Sequence, residues 1–182
     1  MSKYALTIFF LTVTFSVNTL AEVTVTYASK GKPQFSFLVP DGWMIKTGTG
    51  IGKSKATKDE TPMPRVVSAI PEGKDVLWFG FWTPDKVKTM QEADDYMKSL
   101  RPFLLANPKR ASVRDGNIKG MPARFIMGTG FKDDQSMEFR AALFQLTGET
   151  MGMAIYIGRP EAKELHQADI KLITDSLRNV NQ

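Results

Sequence analysis

The chain has 182 residues, with 24 lysines and arginines, 19 aspartates and glutamates, one histidine and no cysteine. The lack of cysteine excludes disulfides, a thiolate nucleophile, iron–sulfur clusters and cysteine-based zinc sites, and one histidine cannot supply a multi-histidine metal site. The net charge of +5 comes from interspersed acids and bases, whereas nucleic-acid binders usually cluster their basic residues. We therefore expect one domain without a metal, another cofactor or a nucleic-acid partner.

The first 21 residues have the layout of a secretory signal peptide. Lys3 gives a basic start, an apolar run extends from Tyr4 to Val17, and the segment closes on the small residue Ala21. The run is shorter than the ~20 residues that span a bilayer. The sequence predicts export to the bacterial periplasm or the medium, cleavage after Ala21, and a mature domain of residues 22–182 without a transmembrane segment. An uncleaved anchor helix is the alternative.

The mature chain begins with strand patterns. Residues 34–39 alternate, with Phe35, Phe37 and Val39 on one face, and residues 76–82 are almost wholly apolar, so both segments are expected to be strands. Residues 43–46 are expected to restart a strand after the turn at residues 40–42, and residues 65–70 to resume one after the polar segment. Residues 23–27 fit either a strand or a loose leader. Four later strands, at 111–114, 123–130, 136–146 and 151–158, are expected to form an antiparallel meander with a polar hairpin tip at 132–135.

Two helices complete the pattern. Thr89 to Glu92 reads as a capping box that begins the first helix, Pro102 is expected to kink or restart it, and Asn107-Pro108 to end it. Pro160 opens a second helix with an apolar stripe from Leu165 to Val180. This order predicts an α+β fold, in which one antiparallel sheet of about six strands has helices packed on it.

Three segments resemble the PsbP-like fold, which includes a photosystem subunit, a Ran-binding import factor and bacterial families of unknown function. Phe35 to Trp43 resembles its opening, in which alternating apolar residues precede Pro–x–Gly–Trp. Ile118 to Ala123 resembles its Gly–x–Pro entry into the meander, and Asp169 to Arg178 its closing helix. The resemblance spans residues 34–178. It implies an α/β/α sandwich and an accessory or protein-binding role without a shared catalytic site, and no site residues carry over.

The aromatic strand at residues 76–82 is the most suggestive candidate site. Trp78 and Trp82 are expected on one face with Gly80 between them, and Phe79 and Phe81 on the other. Either helices cover both faces, or an open aromatic groove over Gly80 accepts a peptide, sugar or lipid chain. Trp78 and Trp82 are accordingly candidate partner-binding residues.

The second candidate site is the polar, basic segment from Gly48 to Pro64. It is expected to be a solvated loop or a contact with an anionic partner through its lysines, namely Lys53, Lys55 and Lys58. Its glycines do not form a phosphate-binding loop, because Thr47 stands where that motif requires glycine.

No catalytic constellation is evident. His166 is expected at the boundary of the last helix, no Gly–x–Ser–x–Gly elbow occurs, and the acidic pairs read as solvated. The sequence favours an exported, non-enzymatic accessory protein that binds a protein partner. An anionic protein is one such partner. A small-molecule or lipid-binding module with an aromatic and methionine-lined groove, and an unrecognised hydrolase around His166, are the alternatives.

Overall fold

The computed structural model describes residues 21–49, 65–73 and 75–181. The signal-peptide prediction falls almost wholly outside these residues, as does residue range 50–64 of the basic segment. Within the described ranges, no helix is both long and apolar enough to cross a membrane.

The described chain contains ten strands and three helices. In order they are β1 (Glu22–Ser29), β2 (Lys32–Pro40), β3 (Trp43–Thr49), β4 (Arg65–Pro71), β5 (Leu77–Trp82), α1 (Met90–Leu104), β6 (Ala106–Ile118), β7 (Met121–Lys132), β8 (Gln135–Gln145), β9 (Met151–Gly158), α2 (Pro160–Leu165), α3 (Gln167–Ser176) and β10 (Arg178–Asn179).

The strands form two antiparallel sheets. The large sheet has the order β3-β4-β5-β9-β8-β7-β6, and the small sheet has the order β1-β2-β10. Two-residue turns close the β6–β7 and β7–β8 hairpins, where Lys119 and Gly120, and then Asp133 and Asp134, all have positive φ. Such turns match the right-handed twist of the paired strands, which sets the register of the meander.

The large sheet is covered on both faces. On one face, α1 packs against β6 and β8. On the other lie the small sheet and α3: Phe37 of β2 stacks on Phe81 with ring centroids 3.8 Å apart, and Phe35 meets Phe144 edge-on at 5.3 Å. The α+β fold with an antiparallel sheet predicted from the sequence is confirmed, with seven strands in the main sheet rather than about six. Residues 23–27 lie in a strand, β1.

The first helix begins as predicted and ends differently. The Thr89 hydroxyl accepts a hydrogen bond from the Glu92 N–H at 3.2 Å, and the Glu92 carboxylate accepts one from the Thr89 N–H at 3.1 Å. The prediction of a restart at Pro102 is wrong, since α1 continues to Leu104. Pro108 does not end the helix either. It lies in β6, at the edge of the sheet, where a missing N–H breaks no interior ladder.

The prediction of one long C-terminal helix is also wrong. His166 has φ −103° and ψ 23°, and this residue separates α2 from α3. Ile173 and Leu177 of the predicted stripe are buried, whereas Leu165, at the end of α2, is 70% exposed.

Candidate ligand groove

A groove of about 570 Å³ lies between the large sheet and α3. Its floor is formed by two rows of side chains that cross the sheet and pair from strand to strand. One row is Arg114, Phe125, Ala142, Ala154 and Phe81, and the other is Met127, Arg140, Tyr156 and Phe79.

The groove exists because its centre is lined by small side chains. Ala142 and Ala154 are directly paired across β8 and β9, and neither is fully buried. Ile170 and Ile173 of α3 face them from the opposite wall. Methyl groups cannot reach across the gap that the helix leaves, so the space between the two layers is not filled with protein.

The charged residues of the lining are mostly basic. Lys163 is held by Glu138 at 2.7 Å, and the single lining acid, Asp175, pairs with Lys171. The other lining cations are without an ion-pair partner among the described residues, and they are Arg114, Lys119 and Arg140. The Arg114 guanidinium lies 4.8 Å from the centroid of the Phe125 ring. The apolar floor therefore adjoins a positively charged rim.

Tyr156 places a polar group in this apolar floor. The residue is 3% exposed, and its hydroxyl has no hydrogen-bond partner in the described part of the chain. Burial raises the pKa of Tyr156 to about 12, so the hydroxyl keeps its proton at neutral pH. A buried, unpaired hydroxyl costs about 1–3 kcal/mol of stability. The position fits a hydrogen-bond donor that a bound molecule would satisfy.

Trp78 and Trp82 do not line this groove. They share the opposite face of β5 as predicted, but Trp82 is 1% exposed and belongs to the core. Of the two alternatives for this strand, the open groove over Gly80 is not found in the described structure, because the indole of Trp78 itself covers Gly80. A surface contact through Trp82 would require the core to open. A role for the half-buried Trp78 in partner binding stays a prediction.

A second cavity, of about 490 Å³, lies on the α1 side of the sheet. Trp78, Met137 and Leu104 line it, so it is the nearest counterpart of the predicted aromatic and methionine-lined site. None of its described lining residues carries a buried polar group without a partner, in contrast to Tyr156. Lys53, Lys55 and Lys58 lie outside the described residues, and their contact with an anionic partner stays a prediction.

His166 belongs to a network that joins α3 to the large sheet. Its Nε2 lies 3.1 Å from Asp75 and its Nδ1 3.4 Å from Asp169, whose carboxylate also accepts a hydrogen bond from Trp43 Nε1 at 3.0 Å. In the described ranges no hydroxyl bonds to His166, and the residue lines neither cavity. Within the described ranges, these contacts hold His166, Asp169 and Trp43 in place relative to one another.

The groove lies on the face of β5 opposite to the one that the sequence suggested. Phe79 and Phe81 line the groove, whereas Tyr156, Arg114 and Arg140 were not identified as candidates. One signal was present. Arg140 interrupts the apolar run of an interior strand, where a charged side chain needs a reason to be retained.

Comparisons with known proteins support the fold that this geometry shows. No protein-family model and no curated protein matches the chain. The solved structure of cyanobacterial PsbP from Synechocystis sp. PCC 6803 matches over 93% of this chain and 98% of its own, with a TM-score of 0.59 and 12% identity. The chain has a PsbP-like fold. The fold expected from the sequence resemblance is thus confirmed, and at this identity the PsbP likeness extends to the fold alone.

Two further solved structures are similar over most of their length. A protein of unknown function from Pseudomonas aeruginosa, PA94, has 13% identity and a TM-score of 0.43, covering 81% of this PsbP-like chain and 91% of its own. LpqN, involved in cell envelope biogenesis of Mycobacterium tuberculosis, has 14% identity and a TM-score of 0.46, covering 89% and 92%.

Proposed function

We propose that the chain is an exported, non-enzymatic accessory protein that acts by binding, and that the groove between the large sheet and α3 is its binding site. The observation that carries the proposal is an unfilled groove of about 570 Å³ with an apolar floor and a basic rim. Ligand sites are typically concave, mostly apolar and about 300–1,000 Å³ in volume, with a few polar groups that fix orientation.

The chemistry of the lining supports binding rather than catalysis. A catalytic nucleophile requires a base within hydrogen-bond reach and a group that orients the base. Among the described residues, Tyr156 has no hydrogen-bond partner and the Thr174 hydroxyl donates to the backbone carbonyl of Ile170. The lone histidine is held between two aspartates away from the groove.

Binding can be measured with a neutral apolar fluorophore, N-phenyl-1-naphthylamine, and the protein comprising residues 22–182. The wild type should bind the fluorophore saturably. Ala154→Phe should abolish the signal, because the phenyl ring would occupy the space beside Ala142. Ala168→Phe adds the same ring at an exposed position of α3 outside the groove and should bind like the wild type. Equal binding by both variants would refute the assignment of the groove.

Export is tested on the full chain. Expressed in a bacterium with an outer membrane, the protein should accumulate in the periplasm or medium with Glu22 as its first residue. A protein recovered in the cytoplasm with residues 1–21 attached would contradict export, whereas one recovered in the membrane with those residues would support the anchor alternative.

A protein partner is the second candidate function, and the edge strand β6 favours it. The strand has 13 residues, of which 11 are exposed, and it presents unpaired backbone groups at the rim of the large sheet. Its basic side chains include Lys109 and Arg114. An acidic extended segment could add to such an edge, with main-chain hydrogen bonds providing affinity.

The hypothesis of a protein partner is tested by affinity capture from envelope and medium fractions with residues 22–182. Lys109→Glu should lose a partner that docks on β6. A variant with Lys53, Lys55 and Lys58 all changed to Glu should lose a partner that docks on the basic segment. A captured protein that both variants retain would contradict both docking surfaces.

A further inference from the structure

We propose that the groove selects amphiphiles with an oxyanion head group, a carboxylate or a phosphate, and that Tyr156 and Arg140 hold this head group. The inference rests on the proposed function, because it specifies what the groove binds.

The pairing of β8 with β9 places Arg140 beside Tyr156. Arg140 and Tyr156 are directly opposite each other on β8 and β9, so both side chains leave the groove face of the sheet with their Cβ atoms about 5 Å apart. Gly158, two residues after Tyr156, leaves room for the phenol, since a Cβ there would lie 2.6 Å from the hydroxyl oxygen. The pair can therefore approach one head group from neighbouring strands.

Both side chains have hydrogen-bonding capacity to spare. The Tyr156 hydroxyl is buried without a partner in the described chain and keeps its proton at neutral pH. Arg140 is exposed at the rim, makes no ion pair among the described residues, and carries a guanidinium that stays charged. The two groups together offer O–H and N–H donors, which match an oxyanion and repel a cationic head.

Glu138 is the acid whose charge acts on Tyr156. Glu138 lies on the same face of β8 as Arg140, where its charge would oppose an anionic head group. Lys163 of α2 neutralises it through an ion pair of 2.7 Å. Lys119 and Arg114 add two further positive charges to the lining of the groove. At the Tyr156 hydroxyl itself, the Glu138 carboxylate and the Arg140 guanidinium act in opposite directions on the pKa.

The groove also has an apolar row that can hold the tail of an amphiphile. Next to the Arg140–Tyr156 row runs the row that contains Phe125, Ala142, Ala154 and Phe81, covered by Ile170 and Ile173. This apolar row crosses four strands, a distance of about 14 Å at the usual strand spacing. An alkyl chain of medium length attached to the head group fits along it.

The test is displacement of N-phenyl-1-naphthylamine by dodecanoate, dodecyl phosphate and the neutral ester methyl dodecanoate, each below its micelle concentration. At least one oxyanion should bind about tenfold more tightly than the ester, which corresponds to one charge-assisted hydrogen-bonded contact. Arg140→Gln should bring this ratio down to about threefold or less while the ester binds as before. If dodecanoate binds more tightly than dodecyl phosphate, the preferred head group is a carboxylate, and the reverse order indicates a phosphate.

Tyr156→Phe provides a second measurement that a structural role would not mimic. Oxyanion affinity should fall about fivefold, whereas the thermal midpoint of the unliganded protein should stay or rise, because the variant removes a buried unpaired hydroxyl. Tyr27→Phe is the matched control. Tyr27 is buried to the same extent as a residue, and its hydroxyl donates to the Arg65 carbonyl at 3.0 Å, so loss of that hydroxyl should lower the midpoint and leave affinity unchanged.

The outcomes separate the two proposals. Equal affinity for the ester and both oxyanions, with binding still abolished by Ala154→Phe, would overturn the head-group assignment and leave the groove as a binding site. Binding that Ala154→Phe does not affect would overturn the groove itself. A lower thermal midpoint in Tyr156→Phe with unchanged oxyanion affinity would show that the hydroxyl is structural and contradict its role here.

Discussion

Gly128 lies where β6 bulges toward β7, at a contact too close for a side chain. A Cβ at this position would overlap the backbone carbonyl of Lys109 and the ring of Phe139. The pairing of β6 with β7 shifts register on either side of this contact, before Lys109 and after Arg110. The bulge and the glycine therefore depend on each other.

Gly128→Ala should lower the free energy of unfolding by about 2–3 kcal/mol, because either the edge strand or Phe139 must move. Gly48→Ala is the control, since a Cβ at this position of β3 meets open space, and its effect should stay within about 0.5 kcal/mol. Urea unfolding of both variants measures the difference. Two equally stable variants would mean that the bulge yields without cost.

Tyr156 should make stability depend on pH in the alkaline range. Burial raises the pKa of its phenol to about 12, whereas an unfolded tyrosine titrates near pH 10. Below pH 10 the Tyr156 phenol is protonated in both the folded and the unfolded state, so its contribution to the free energy of unfolding is fully present. Between pH 10 and 12 only the unfolded state ionises, so the folded state should lose roughly 2 kcal/mol relative to Tyr156→Phe.

Urea unfolding of the wild type and Tyr156→Phe at pH 8, 10 and 11 isolates this contribution, because other alkaline titrations are common to both proteins. The stability difference between them should change with pH in the direction that favours Tyr156→Phe. A difference that is constant across this range would show that the phenol titrates at its ordinary pKa.

For single residues, the sequence predicted which side chains share a face of a strand. It could not predict which face of the sheet borders an unfilled cavity. Alternation along β5 placed Trp78 and Trp82 opposite Phe79 and Phe81, as the structure shows. The groove depends on Ala142 and Ala154, which become neighbours only through the pairing of β8 with β9, and on the wall that Ile170 and Ile173 of α3 form opposite them.

Among the elements, α1 has the clearest start, and it depends on one hydroxyl. Thr89→Ala removes the acceptor for the Glu92 N–H and should lower the free energy of unfolding by about 1 kcal/mol. Ser99→Ala, on an exposed face of the same helix, removes a hydroxyl that only donates to the Tyr96 carbonyl, and should change stability by less than about 0.5 kcal/mol. Thermal unfolding of the two variants compares them, and equal midpoints would contradict the capping role.

The capping box and the hairpin turns could be predicted because their hydrogen bonds join residues within a few positions of each other. The end of α1 and the break at His166 could not. Pro108 is accommodated because β6 happens to be an edge strand, and the break at His166 has partners in Asp75 and Asp169, of which Asp75 is 91 residues distant. Hydrogen bonds between near neighbours thus determine the start of α1 and the hairpin turns. The position of Pro108 and the break at His166 depend on parts of the chain that are distant in sequence.

At the scale of the whole molecule, β2 joins the two ends of the described chain. It pairs with β1 on one side and with the two-residue β10 on the other. Just before β10, the Ser176 hydroxyl accepts a hydrogen bond from the Leu38 N–H at 2.8 Å. α3 is thus fixed to the small sheet at its C-terminal end and, through Asp169, to Trp43 of the large sheet near its N-terminal end. A helix held at both ends can span the alanines beneath it without settling onto them.

This arrangement predicts that the network at the start of α3 supports both stability and the groove. Asp169→Ala removes the acceptor shared by Trp43 Nε1 and His166, and should lower the free energy of unfolding by about 2 kcal/mol. It should also weaken binding of N-phenyl-1-naphthylamine, since one wall of the groove loses an anchor. Glu164→Ala, an exposed acid on α2, should change neither quantity. Stability is measured by tryptophan fluorescence during urea unfolding, and binding by fluorophore titration. A destabilised Asp169→Ala protein with wild-type fluorophore affinity would show that the position of α3 does not depend on this anchor.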